Sequence, residues 1–199
     1  MTSSLLEPDS ALLDKFQKLG NLVQVVKTHR VETRRLDDIA EVAGADYLKV
    51  DVQGGEMLVF GGAVELLKSV LVINTEVEFV PLYKQQPLFA DIDTFLRAHG
   101  FLLHRLSFTG RTFKPLIWNN DLNSMMSQVL WGDAIYVRDF MRFDQLSAEA
   151  LLKVAAILHE NHGSLDLAAV ALAAHDQKTG SQLHARYLQA LVGASRKQA

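Results

Sequence analysis

The sequence has 199 residues, of which 49% are hydrophobic, and its formal net charge is −3. This length accommodates one ordinary domain with an appendage, and the hydrophobic content excludes a wholly disordered chain. The weakly acidic balance disfavours nucleic acid as a partner. The absence of cysteine excludes disulfide frameworks, thiolate metal sites and a cysteine nucleophile. No hydrophobic run approaches the roughly 18 residues that cross a bilayer, so we expect no membrane association. The absence of cysteine fits a reducing cytoplasm, which is the expected location.

The N-terminal part of the chain mixes short helical and extended patterns. Residues 10–19 carry hydrophobic side chains at helical spacing, and Gly20 is placed to end that helix. Two extended segments are predicted at residues 22–26 and 30–36. Residues 37–43 open with two aspartates, which favour the first turn of a short helix.

The central part predicts a parallel sheet. Two runs, residues 47–52 and 70–75, have apolar side chains on both faces, which is typical of interior parallel strands. A helical pattern at residues 55–69 lies between them, so the three elements form a βαβ unit. The remaining predicted elements are a helix at 89–99, strands at 101–108 and 129–137, and a polar loop or lid at 109–127.

The C-terminal part changes to alanine-rich helical sequence. Helices are predicted at residues 147–160, 165–174 and 181–192. We therefore expect an α/β domain at residues 1–140 and an all-α extension at residues 141–199.

Acidic residues stand where the two parallel strands end. Asp51 ends the first run, and Glu76 and Glu78 end the second, where alternation gives them the same face. Ligands bind at this carboxyl edge of a parallel sheet, and paired carboxylates there can accept a proton or hold a hydroxyl or an amine. Two alternatives stay open: Asp51 caps the next helix, or the glutamates face water. Glu56 lies in the first turn of that helix, where a carboxylate stabilises the helix dipole.

Other polar residues give weaker signals. Tyr83 and Gln86 lie in a loop framed by Pro81 and Pro87, a usual place for substrate contacts, although Tyr83 is equally suited to packing. The seven histidines have no metal-ligand spacing with a third ligand, so we predict no metal site. No serine lies in a nucleophile elbow, which disfavours hydrolase chemistry.

Several motifs resemble those of FkbM-type methyltransferases. The two principal ones are LDDI at residues 36–39 and YLKVDVQGGE at residues 47–56. Further similar pieces follow in the same order: TEV at 75–77, PLY at 81–83, QPLF at 86–89 and LWGDA at 130–134. Together the motifs cover about residues 31–140, and their combination indicates the family more specifically than any single motif does.

The resemblance implies a fold, a cofactor and an acceptor class. The fold is part of a Rossmann-like, seven-stranded sheet, the cofactor is S-adenosylmethionine, and the acceptors are hydroxyl groups of sugars, glycans or natural products. It also implies that Asp51 lies beside the transferred methyl group. Combined with the strand-end acids, this gives catalytic candidates Asp51 and Glu76, cofactor contacts Asp51 and Gln53, and substrate contacts Glu56, Glu78, Tyr83 and Gln86. Gln53 stands where the family often has glutamate, which removes one charge near the site.

The sequence departs from the family in front of these motifs. Family members bind the cofactor with an earlier glycine-rich loop, and no such loop precedes Asp37. We interpret residues 3–8 as an insert preceding the motifs, rather than as the acidic end of an earlier strand. Without the family's first strand, residues 47–51 would form an unpaired apolar edge. We therefore expect a truncated chain, with a complementing N-terminal half or a second copy of the chain as alternatives.

Two functions remain open. The first is a methyltransferase, which the strand-end acids favour. The alternative is a catalytically incomplete, methyltransferase-like module that binds another protein, which the missing loop favours.

Overall fold

The computed structural model describes residues 3–118, 121 and 124–195. The chain divides into two compact units, Met1–Tyr136 and Val137–Ala199. The first unit is built on a sheet and the second is almost entirely helical. Whether residues 1–140 and 141–199 are independent domains stays a prediction.

The sheet has five strands in the order β1-β2-β5-β3, with β4 paired to β5. β1 and β2 are parallel and pair Tyr47 with Val72 and Val50 with Thr75, as the two apolar runs predict, whereas β4 and β5 are antiparallel. The expected fold class, a partial Rossmann-like α/β sheet with a helical C-terminal part, is confirmed. The strands are β1 Tyr47–Val50, β2 Val72–Glu78, β3 Phe101–Leu106, β4 Thr109–Gly110 and β5 Val129–Arg138. The helices before β5 are α1 Ser10–Leu13, α2 Leu19–Leu22, α3 Glu56–Gly61 and α4 Phe89–Ala98.

The main core surrounds β2. Val72, Ile73, Thr75 and Val77 of this strand are fully buried, which explains why both faces of the run are apolar. The helices and neighbouring strands close over it with Phe60, Leu67, Ile92, Leu96, Phe101 and Tyr136. This rigid centre fixes the end of β2, where Glu76 and Glu78 lie.

The N-terminal helix prediction was only partly right. The pattern at residues 10–19 forms two one-turn helices, α1 and α2, because Lys18 between them adopts a left-handed φ of 59°. Gly20 lies within α2 and does not end a helix. Residues 24–35 have no regular secondary structure and are all exposed, so the two predicted extended segments do not join the sheet.

Asp37 has a different role from the predicted helix start. Its carboxylate accepts hydrogen bonds from the backbone N–H of Glu65 and Leu66, at 2.9–3.1 Å. These bonds fix the 3₁₀ turn Leu66–Lys68 and so tie the first aspartate of LDDI to the connection between β1 and β2. Asp37 itself lies in the 3₁₀ turn Leu36–Asp38, which is followed by a second one at Ala40–Val42.

Two other connections differ from the sequence prediction. The predicted helix at residues 55–69 is interrupted, because α3 ends at Gly61 and only the turn Leu66–Lys68 follows. The predicted loop at residues 109–127 begins with β4 and is otherwise irregular where it is described. Its residues 119, 120, 122 and 123 lie outside the described part of the chain.

The second unit contains the three predicted helices: α5 Ala148–His162, α6 Leu165–Thr179 and α7 Leu183–Ser195. Ser147 caps α5 by accepting a bond from the Ala150 backbone N–H at 3.0 Å. Gly163 and Gly180 end α5 and α6 with left-handed φ angles of 58° and 72°. No helix in the described residues combines the length and the apolar character that a bilayer crossing demands.

Candidate active site

The site begins at the sharp turn that follows β1. Gln53 and Gly54 there have positive φ angles of 57° and 96°, and only glycine adopts the second without strain. A Cβ on Gly54 would lie 2.9 Å from Gln86 Nε2 and 3.0 Å from Tyr83 Cδ2. Glycine at this position therefore lets the turn pack directly against the loop that follows β2.

Gln53 connects the side chains of this turn with β2. Its Nε2 donates to Asp51 Oδ1 at 3.0 Å and to Glu76 Oε2 at 2.8 Å. Its Oε1 accepts a longer bond of 3.4 Å from the Tyr83 hydroxyl. The predicted residues Asp51, Gln53, Glu76 and Tyr83 thus form one hydrogen-bonded group at the carboxyl edge of the two parallel strands.

Two buried glutamates lie beside this group. Glu56 and Glu78 are each only 1% exposed. Glu78 therefore does not face water, which was one of the alternatives left open by the sequence. Glu56 accepts a bond from the Val52 backbone N–H at 2.9 Å, which stabilises the turn as well as the helix start. Glu56, Glu76 and Glu78 each offer a carboxylate oxygen, and these three oxygens lie within 4.8 Å of one another.

Burial and mutual repulsion weaken the acidity of these glutamates. Burial, followed by the charge of Asp51, raises the pKa of Glu76 to about 7. Burial, followed by the charge of Glu56, raises the pKa of Glu78 to about 8. Burial also raises the pKa of Glu56, although backbone hydrogen bonds oppose this effect. Perturbed carboxylates grouped at a sheet edge are typical of functional sites.

Tyr83 and Gln86 form the wall opposite the turn. Both are buried, at 5% and 7% exposure, and Gln86 Oε1 accepts a bond from the Tyr83 backbone N–H at 3.1 Å. Tyr83 combines the two predicted roles, because its ring packs in a second core cluster with Leu13 and Phe16 while its hydroxyl reaches Gln53. Burial raises the pKa of Tyr83 to about 12, so the phenol is protonated at neutral pH.

Two contributors to the site were absent from the sequence prediction. Ser4 Oγ donates to the backbone oxygen of Gln53 at 2.7 Å, which holds the strained turn from the N-terminal segment. Lys49 Nζ lies 3.4 Å from Asp51 Oδ2 in an exposed ion pair. The alternation of strand side chains could have indicated the Lys49 contact, but no local pattern links residues as distant as Ser4 and Gln53.

A comparison with known families gives the site its context. The sequence matches the family described as Methyltransferase FkbM domain over residues 3–103, which is just over half of the chain. The chain belongs to this family. The resemblance inferred from the sequence motifs is therefore confirmed, and methyl transfer is the class of reaction that the family indicates. No curated protein and no solved structure matches the chain.

The extent of the FkbM match corrects one interpretation. The matched region begins at residue 3, so residues 3–8 belong to the FkbM domain and are not an insert in front of it. In the structure this segment and Asp9 behind it contact the site loop, because Glu7 O accepts from Lys84 N at 2.8 Å and Leu82 O accepts from Asp9 N at 2.9 Å. All seven candidate site residues lie within the matched region, whereas residues 130–134 lie beyond it.

Proposed function

We propose that this chain transfers a methyl group from S-adenosylmethionine to a hydroxyl group of a sugar, a glycan or a natural product. The observation that carries the proposal is the pair of hydrogen bonds from Gln53 to Asp51 and Glu76. They join the ends of two parallel strands where ligands of α/β enzymes bind. Membership of the FkbM family supports the reaction class.

The end of β1 suits the cofactor role proposed for Asp51 and Gln53. The Asp51 side chain is 44% exposed while Gln53 fixes one of its oxygens, so the carboxylate is both accessible and oriented. Bound S-adenosylmethionine supplies an electrophilic methyl group on a positively charged sulfur. The negative charge of the surrounding carboxylates attracts such a cation.

Asp51 or Glu76 is the proposed proton acceptor. Bound S-adenosylmethionine would supply the methyl carbon, whose bond to sulfur would break as the acceptor oxygen bonds to it, and Asp51 or Glu76 would take the hydroxyl proton. Glu76, with its pKa of about 7, suits this role near neutral pH. Most of the remaining catalysis would be positioning of the two reactants.

The other candidates would contact the acceptor. The set lies around Asp51 and Glu76 and consists of Glu56, Glu78, Tyr83 and Gln86. Their carboxylate and amide groups can bind hydroxyls. The negative field repels phosphate and carboxylate groups, so we propose an uncharged acceptor. A cytoplasmic location, a second copy of the chain and a complementing N-terminal half also stay proposals.

Methyl transfer can be tested with labelled cofactor. The full chain is incubated with methyl-labelled S-adenosylmethionine and a panel of mono- and oligosaccharides and hydroxylated natural products, and the label is located by mass spectrometry. We expect label on oxygen with the parent chain and with E65Q, an exposed control, and not with E76Q. Label on nitrogen or carbon would contradict the proposed chemistry. If a folded chain neither transfers the methyl group nor binds the cofactor, the result would favour the protein-binding alternative. The edge of β1 would then be the binding surface.

A further inference from the structure

Glu56, Glu76 and Glu78 form a compact acidic cluster with fixed geometry. The cluster is built by the first turn of α3 and the end of β2, so neighbouring rigid elements hold its members. Their carboxylate oxygens lie within 4.8 Å of one another. Two of the three side chains are 99% buried, which separates this cluster from the acidic groups that are common on protein surfaces.

Each carboxylate of the cluster has a supporting group beside it. Glu56 accepts from the Val52 backbone N–H at 2.9 Å, and Glu76 accepts from Gln53 Nε2 at 2.8 Å. The Gln86 amide lies close enough to Glu78 to oppose the rise of its pKa. Hydrogen bonds of this kind orient the carboxylates that bind metal ions in proteins.

Two buried polar atoms at the cluster make no well-formed hydrogen bond in the described residues. Neither Glu78 Oε2 nor Gln86 Nε2 makes a hydrogen bond of acceptable geometry to any residue that the structure describes, although both are inaccessible to solvent. The orientation of the Gln86 amide is set by its Oε1, which accepts from Tyr83 N, and the amide acts on Glu78. Because Nε2 is a donor and cannot bind a cation, Glu78 Oε2 is the atom with unused binding capacity. Unpaired polar atoms with this degree of burial are costly, which points to a ligand that draws the Glu78 carboxylate into place.

The charge of the surroundings selects the kind of ligand. Asp51 and Asp133 add further negative charge near Glu76, and Lys49 opposes it. Lys49 is itself paired with Asp51. When all three carboxylates are ionised, an ammonium group balances one of their charges, whereas a divalent cation balances two.

We propose that Glu56, Glu76 and Glu78 bind one divalent cation of the oxygen-preferring class, such as Mn²⁺, Mg²⁺ or Ca²⁺. Opposite ligands of Ca²⁺ lie about 4.6–5.2 Å apart and those of Mg²⁺ about 4.0–4.2 Å, so the cluster already has the size of a coordination sphere. In the loaded chain Glu76 is a ligand, which leaves Asp51 as the proton acceptor of the proposed reaction. The cation site does not depend on the proposed reaction, because binding is measured without cofactor or acceptor.

The test is a titration of the full chain with Mn²⁺ and, separately, Ca²⁺ after removal of metals with a chelator. Isothermal titration calorimetry and the electron paramagnetic resonance signal of free Mn²⁺ report the number of sites. We expect one saturable site, a higher melting temperature with the cation, and at least a tenfold loss of affinity in E78Q and in E76Q. The exposed control E65Q should bind as the parent chain does.

Three outcomes would overturn the cation site. They are no saturable binding by the folded parent chain, unchanged affinity in E78Q or E76Q, and saturable binding of methylammonium without Mn²⁺ or Ca²⁺. Circular dichroism establishes that each variant is folded, and the less buried Glu76 decides the matter if E78Q does not fold. Cation binding without methyl transfer would refute the proposed function alone, whereas methyl transfer by a chain that binds no cation would refute the cation site alone.

Discussion

Two carboxylates, one in each compact unit, show how the same chemical group serves different ends. Asp176, at the end of α6, accepts bonds from the Leu183 and His184 backbone N–H groups at 3.1 and 2.9 Å and a short bond from the Ser181 hydroxyl. Burial alone would raise the pKa of Asp176, but these hydrogen bonds hold it at about 2. Glu78 is more deeply buried than the half-buried Asp176, one of its oxygens has no hydrogen bond of acceptable geometry in the described residues, and burial raises its pKa to about 8.

Deep burial with few hydrogen-bond donors weakens the acidity of Glu78, whereas on Asp176 the donors outweigh a partial burial. Asp176 is saturated by the start of α7 and fixes the turn between two helices. Glu78 and its neighbours keep binding capacity that the fold does not use. Substitutions at the sheet edge should therefore change chemistry, and substitution of Asp176 should change stability.

The largest expected effect is on methyl transfer in E76Q. In the metal-free chain Glu76 is the proposed general base, whose loss lowers rates by about 10²–10⁴-fold, and in the cation-loaded chain it is a proposed ligand. The amide also keeps only one acceptor oxygen where the carboxylate has two. We expect at least a hundredfold lower turnover with an unchanged or higher melting temperature, measured with labelled cofactor and circular dichroism. The exposed control E65Q should match the parent chain in both. A twofold effect of E76Q on turnover would remove Glu76 from the mechanism.

Next in size is the effect of alanine at Gly54. Both G54A and G44A impose a left-handed φ on alanine, at 96° and 78°, but only at Gly54 does the new Cβ meet other atoms. The strain costs about 1–2 kcal/mol, and G54A should lose more than G44A because it also displaces Gln86 or Tyr83. Urea unfolding of both variants measures the difference. Equal losses would show that the turn does not pack against that loop as described.

Asp176→Asn tests the other side of the comparison. The amide accepts fewer bonds from the start of α7, so the melting temperature should fall by several degrees. Methyl transfer at a temperature where the variant is folded should stay at the parental rate. D144N, an exposed aspartate of the same unit, is the matched control. Loss of activity in folded D176N would break the assignment of Asp176 to stability alone.

The smallest expected effect is a change in the pH dependence of stability. The pKa of Glu78 is raised on folding, so its contribution is fully present below about pH 4.5 and is lost as pH rises through about 8. E78Q cannot ionise, and its free energy of unfolding should fall less than that of the parent chain between pH 5 and pH 8. Urea unfolding in the presence of a chelator measures both slopes. Parallel slopes would contradict the raised pKa.

Local patterns predicted the elements that depend on burial. Continuous apolar runs gave β1 and β2 with their parallel pairing, and the acids that end them are brought together because parallel strands end at one edge. The spacing of hydrophobic residues did not predict where a helix is interrupted by a single backbone angle. The left-handed φ of Lys18 divides the first predicted helix in this way. Spacing also failed for the Ser4 contact to Gln53, which joins residues 49 positions apart. The spacing of the histidines predicted no metal ligands, and the three glutamates, one of which is far from the other two in the sequence, come together only in the fold.

The most direct test of the central claim, that the carboxyl edge of β1 is a cofactor site, is calorimetric titration of the full chain with S-adenosylhomocysteine. We predict saturable binding by the parent chain and by the exposed control D38N, and at least tenfold weaker binding by D51N. No binding by a folded, monodisperse parent chain, or equal binding by D51N, would contradict the account.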